Sequence, residues 1–248
     1  MPFTFVDPAA LPSDPMAAES ALLDRAAAGD AVAHLWEAPL SLAVPRSYRR
    51  HAKLEEARAR FAAEGCPVHL RLSGGGLVPQ GPGILNLSMA WTEAGVAGEQ
   101  AEPIYLWLCG LLRDALAEVG VATHWQAVEG SFCDGRFNLA WGEGEAARKI
   151  VGTAQYWRPI AGSTPRRHAV LAHAVLLVDA DTQEANARAN AFEAAIESGR
   201  HYREDRIVSV AQARAFGGLP AGGPCMPAFR QALSERVREA APPMGHSR

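Results

Sequence analysis

Two side chains able to handle an acyl group stand close together in this sequence. Cys133 lies in the run Ser131-Phe-Cys-Asp-Gly-Arg-Phe-Asn-Leu139, and Lys149 opens the run Lys149-Ile-Val-Gly-Thr-Ala-Gln155. A thiolate can attack an activated carbonyl and hold the acyl group as a thioester, while a nearby ammonium lowers the thiol pKa and stabilises the developing oxyanion. A cysteine alone is more often a small buried hydrophobe, so the lysine-bearing segment gives this thiol its meaning. Asp134 would oppose thiolate formation and is expected to face away. Gly152 removes a side chain where a backbone or an acyl chain must pass. A lysine at a strand end is usually solvated, so trimming Lys149 is expected to leave folding nearly unchanged.

A second cluster of chemistry lies upstream, in Arg71-Leu-Ser-Gly-Gly-Gly-Leu-Val-Pro-Gln80 and Gly83-Ile-Leu-Asn-Leu-Ser88. Gly74, Gly75 and Gly76 let a backbone approach a ligand closely, while Ser73 and the loop N–H groups can hold its polar atoms. In isolation such a run equally marks a surface turn. Arg71 before it and Asn86 after it shift the balance towards a ligand site. Arg71 has two readings, a contact to the acyl donor or a surface charge at a strand end.

In this order the blocks resemble the lipoate-protein ligase, octanoyltransferase and biotin-ligase superfamily. There an Arg-x-Ser-Gly-Gly-Gly loop, a Leu-Asn-x-Ser strand and a Lys-x-x-Gly-x-Ala-Gln segment wall the acyl site. The resemblance runs over roughly residues 17 to 200 and includes Ala18-Glu19-Ser-Ala-Leu22-Leu23, Leu35-Trp36 and Leu42-Ala-Val-Pro-Arg46. It implies substrate-binding roles for Arg71, Ser73, Gly74, Gly75, Gly76, Asn86, Gly152, Thr153, Ala154 and His173, the last at a strand position where the transferase branch often shows Gln-His-Gly. Cys133 points to the cysteine-dependent octanoyl and lipoyl transferases, with Cys133 as nucleophile and Lys149 polarising the carbonyl. Family members often carry His-Asp where this chain has Gln80-Gly81, and the connection Gly142–Arg148 is longer than the family's usual turn.

The activity so implied moves an octanoyl or lipoyl group from an acyl carrier protein or lipoyl domain to a lysine of an acceptor lipoyl domain. Glycine-cleavage H protein and dehydrogenase E2 subunits are the expected partners. No cofactor is required, because the donor bond is already activated. One alternative is a ligase that adenylates free lipoate with ATP and magnesium. Another is a non-catalytic protein that binds an acyl group or a lipoyl domain.

The elements that must position these residues point to an α+β fold with a mixed, mostly antiparallel central sheet and flanking helices. Helices are expected over 16–28, 54–63, 102–120 and 181–199, the third with Leu106, Leu111, Leu112, Leu116 and Val119 on its apolar face and the last opened by an Asp181/Glu184 capping box. Strands are expected at 68–71, 85–89, 137–141, 149–155 and 169–177. Residues 1–15 are expected to fray, 16–240 to form a single catalytic domain, and 241–248 to be a flexible tail. With 248 residues, 48% hydrophobic and 21% charged, the composition is that of an ordinary globular domain. A net charge of -3 with no basic cluster argues against nucleic acid. The longest apolar run, 169–178, is too short to span a membrane, and a cytoplasmic location is expected. Cys66, Cys109, Cys133 and Cys225 lack CxxC spacing, so neither zinc nor a disulfide framework is implied.

Overall fold

The computed structural model describes residues 1–219 and 223–243. In chain order the first half gives β1 (Thr4–Phe5), α1 (Pro15–Ala27), β2 (Val32–Glu37), β3 (Ser41–Pro45), α2 (Leu54–Ala63), β4 (Val68–Arg71), β5 (Val78–Gln80), β6 (Ile84–Ala94) and α3 (Ala97–Glu118). The second half gives β7 (His124–Trp125), β8 (Leu139–Trp141), β9 (Arg148–Pro159), β10 (Arg167–Leu177), α4 (Thr182–Ala195), α5 (Val210–Phe216) and α6 (Met226–Glu239). The fold is α+β. A seven-stranded sheet has the order β1-β2-β6-β10-β9-β8-β7, antiparallel except for the β1–β2 pair, and a three-stranded sheet has the order β4-β3-β5.

The long central strands are buried on both sides, which explains why β10 reads as a nearly continuous apolar run. One face of β6 and β10, with Leu85, Leu87, Met89, Val170, Ala172 and Leu176, packs against Ile104, Leu108 and Leu112 of α3 and Phe229, Leu233 and Val237 of α6. Each fully buried side chain of that size stabilises the fold by roughly 1.5–3 kcal/mol. The opposite face meets α1 through Leu22, Leu23 and Ala26. Asp14 caps α1 by accepting the Ala17 N–H at 2.8 Å, with Pro15 in the first turn. The smaller sheet packs on α2 and α4 through Leu42, Val44, Phe61, Val68 and Phe192.

Several expectations need correction. The first few residues are packed and not free: β1 pairs with β2, and Phe3 is buried against Trp91 and Trp107. Helix α3 begins at Ala97, ahead of Pro103, because its first turns carry no buried residue and leave no apolar repeat to read. Leu106 is exposed; Ile104, Leu108, Leu112 and Leu116 form the buried face. Asp181 does accept the Glu184 N–H, but the Glu184 carboxylate turns to Arg188, so the reciprocal half of the capping box is not made. The capping box forms instead at Ser209 and Gln212 of α5. Of the expected tail, 244–248 lie outside the described residues. Among the described residues no helix is long and apolar enough to cross a membrane.

Candidate active site

Strand alternation decides which side chains meet. Asn86 pairs with Trp36 on one side and Val175 on the other, while His173 pairs with Ser88 and Ala154. These residues share one face of the large sheet. All but Ser88 line a pocket closed by α1, by β3, β4 and β5 of the small sheet, and by the loop that carries Cys133. Trp36, Ala43, Val78 and Val175 give it apolar walls suited to an acyl chain.

Cys133 lies on the connection between β7 and β8 with φ 52°, in the left-handed region that a non-glycine residue rarely adopts. Such a conformation costs of order 1–3 kcal/mol and persists only where its surroundings over-determine it. Here the Cys133 carbonyl accepts hydrogen bonds from Gly135 N–H at 2.9 Å, Asn138 Nδ2 at 2.9 Å and Lys149 Nζ at 2.7 Å. Asn138 also accepts the Thr153 N–H at 3.2 Å, tying the loop to β9. The thiol is thereby turned towards the glycine loop, where Gly76 N–H donates to Sγ at 3.3 Å and Arg71 Nη2 lies 3.9 Å away.

Lys149 is 1% exposed and not solvated as a strand-end lysine would be, because the 128–138 loop folds over it. Its Nζ donates to the carbonyls of Phe132 and Cys133, each at 2.7 Å, leaving one of its three N–H groups uncommitted. The longer connection before it contains a short 3-10 turn at Gly144–Ala146 and does not displace it. Gly152 makes room for this ammonium: a Cβ there would stand 2.9 Å from Nζ. Removing Lys149 therefore strips a buried donor from two carbonyls, contrary to the expectation of an unperturbed fold.

The electrostatics follow from these contacts. Burial alone would push the Cys133 thiol up, but the Lys149 and Arg71 charges and the Gly76 N–H together outweigh it and hold the thiol below its ordinary value. Burial pushes Lys149 down to about 8, opposed by the Cys133 charge and aided by Arg71. Burial raises the other three thiols, Cys109 to about 12, with Asp179 adding to the rise at Cys225. Asp134 is exposed, as expected.

The glycine loop is pinned from behind. Arg71 Nη2 donates to the Gly76 carbonyl at 2.6 Å, and the Tyr48 hydroxyl accepts the Leu77 N–H at 3.2 Å while donating to the buried Glu193 at 2.6 Å. Gly75 has φ 101°, and a Cβ on it would lie 2.6 Å from Sγ, so both conformation and space require glycine there. Gly74 is exposed and a side chain on it would meet nothing. Arg71, Cys133, Asn86, Gly152, Thr153, Ala154 and His173 all line the pocket, and Ser73 reaches His173 Nε2 at 2.8 Å. Gln80, at the position of the family's His-Asp, exchanges two amide hydrogen bonds with Asn86 and carries no titratable group. Among the described residues, no three His, Cys, Asp or Glu side chains converge as a metal site requires.

The sequence and this geometry meet in a known family. Residues 11–216 match the lipoyl protein ligase A/B catalytic domain. The chain belongs to that family. An uncharacterized protein of Cupriavidus necator is 59% identical over 98% of this chain and 100% of its own length. An octanoyl-[GcvH]:protein N-octanoyltransferase of Kyrpidia tusciae is 37% identical over 49% of this chain and 41% of its own. The fold matches a putative lipoate protein ligase from T. acidophilum with bound lipoic acid, with TM-score 0.63 at 17% identity over 96% of this chain and 86% of that one. It also matches a lipoate-protein ligase A bound with ATP, with TM-score 0.62 at 16% identity over 96% and 85%.

Three residues of this lipoyl ligase-type domain escaped the sequence reading. Asn138 sits inside the Cys133 run but carries no signal of its own. Trp36 was legible only as part of the Leu35-Trp36 block of the resemblance. Glu19 did leave a trace: it falls on the buried stripe of α1 with Ala18, Leu22, Leu23 and Ala26, a place where an acid needs a partner.

Proposed function

We propose that this protein is a cytoplasmic acyltransferase of lipoate metabolism that carries an octanoyl or lipoyl group as a thioester on Cys133. The donor is an acyl carrier protein or a lipoyl-domain protein, and the acceptor is a lysine of another lipoyl domain. The glycine-cleavage H protein and dehydrogenase E2 subunits have the required chemistry, and the name of the Kyrpidia relative supports the former. The observation that carries the reading is the state of Cys133: it is the one thiol of four that its surroundings push towards thiolate, and it lies in the apolar-walled pocket.

In the first half-reaction the thiolate attacks the donor carbonyl, and the donor's leaving group departs with its electron pair. The Gly76 N–H, released from the sulfur by acylation, and Arg71 are placed to take up oxyanion charge. Lys149 holds the loop carbonyls and supplies the positive field beneath the thiol. In the second half-reaction the acceptor amine displaces the sulfur. Neither half consumes nucleotide or needs a metal, since the donor bond is already activated.

The test is transfer from octanoyl acyl carrier protein to a lipoyl domain with nucleotide and divalent cations removed. Undiminished transfer is expected. Strict dependence on ATP and magnesium, with free lipoate as the preferred substrate, would establish a ligase instead.

A further inference from the structure

Becoming an amide nitrogen costs the acceptor lysine two protons, and the first is the harder to lose. With a pKa near 10.4, fewer than about one in 10³ lysine side chains is an uncharged nucleophile at neutral pH. The thiol carries the acyl group and Lys149 is held by the carbonyls of Phe132 and Cys133, so a third group must take that proton.

A chain of three side chains ends on the glycine loop that holds the thiol. Glu19 Oε1 lies 2.6 Å from His173 Nδ1, and His173 Nε2 lies 2.8 Å from Ser73 Oγ. Glu19 is 3% exposed, its Oε1 also accepts from Ser88 Oγ at 3.3 Å, and its Oε2 has no partner among the described residues. A buried carboxylate so sparsely satisfied has a strong demand for a positive neighbour. An ionised Glu19 also fixes the imidazole: Nδ1 carries the proton towards the carboxylate, and Nε2 is left to accept from the Ser73 hydroxyl. Ser73 lies in the chain between Arg71 and Gly76, both of which contact Sγ, and His173 lines the same pocket as Cys133.

We propose that Ser73, His173 and Glu19 form a proton relay that strips the acceptor ammonium when the Cys133 thioester is discharged, an inference that rests on the thioester reading above. The ammonium gives one proton to Ser73 Oγ as the Ser73 proton passes to His173 Nε2, leaving a neutral amine and an imidazolium held by Glu19. The amine lone pair forms the new C–N bond. As the carbonyl reforms, the C–S bond breaks, its electron pair stays on sulfur, and the second amine proton goes to that sulfur. The imidazolium side chain, 13% exposed, then returns its proton to water. Ser73 is the contact to the reacting amine, while His173 and Glu19 act through it.

Hydroxylamine separates this role from a structural one, because it is already uncharged at neutral pH and needs no first deprotonation. Wild type, Ser73→Ala, His173→Gln and Glu19→Gln are loaded from octanoyl acyl carrier protein. The octanoyl adduct is then discharged with glycine-cleavage H protein or with hydroxylamine and followed by intact mass. The ratio of lysine to hydroxylamine discharge is expected to fall by about 10²-fold or more in the variants, the usual size of a general-base contribution. An unchanged ratio overturns the relay, since damage to packing would slow both acceptors alike. Should His173→Gln fail to fold, Ser73→Ala, which deletes one hydroxyl, still reads the ratio. Wild-type transfer with no adduct on Cys133 would overturn the thioester reading and the relay together, whereas an adduct with an unchanged ratio overturns the relay alone.

Discussion

Cys133 and Lys149 share one buried space, so the charge of each sets the proton affinity of the other. The thiol is held below its ordinary value and the ammonium down at about 8. Acyl-enzyme formation should therefore be bell-shaped in pH, rising as Cys133 ionises and falling as Lys149 loses its proton near about 8. Lys149→Ala should lose on the order of 10²–10³ in rate and lack the falling limb. It should also cost about 1–3 kcal/mol of stability, read by urea unfolding, because the buried Phe132 and Cys133 carbonyls each lose a donor. The linkage to folding has a definite sign. With the folded value near 8 and the free value at 10.5, the unfolded chain binds more protons between them, so this residue's contribution to stability rises with pH across that window. A flat profile above neutrality would remove the Lys149 charge from the chemistry.

The elements that aim these residues differ in how openly the sequence announced them. Strand β4 and helix α2 lie where the local pattern put them, β9 extends beyond its expected bounds at both ends, and β10 at its start. The small sheet was only partly legible, because β3 and β5 are short and the pairings of β3 with β4 and with β5 are ones that no local pattern encodes. The burial of Lys149 was hidden for the same reason, since the way the 128–138 loop folds over it is set by contacts that no local pattern encodes. Helix α6 repeats Phe229, Leu233 and Val237 every four residues, yet its start is set from outside: the Asp179 carboxylate accepts the N–H groups of Cys225 and Met226 at 2.9 and 2.8 Å. Asp179→Ala should thus lower stability by about 1–2 kcal/mol, the usual worth of a helix cap. Acyl transfer measured well below the melting temperature should stay near wild type, as α6 lies across the sheet from the pocket.

At the scale of the whole molecule, two sheets and α1 enclose one pocket, and the layer behind the large sheet is locked by the chain's first residues. Phe3 stacks edge-on against Trp91 at 5.7 Å and tilts against Trp107 at 5.9 Å. Phe3→Ala should cost about 3 kcal/mol or more by thermal or urea unfolding. A freely fraying terminus would show almost no change. We propose that this lipoyl ligase-type fold works through a covalent thiol, and intact-mass analysis after mixing with octanoyl acyl carrier protein reads the adduct itself. One octanoyl adduct is expected, released by hydroxylamine, on the peptide containing Cys133, with Cys66→Ala, Cys109→Ala and Cys225→Ala still forming it. Cys133→Ala should form no adduct and transfer nothing. A Cys133→Ala protein that still acylates a lipoyl domain at the wild-type rate would contradict it.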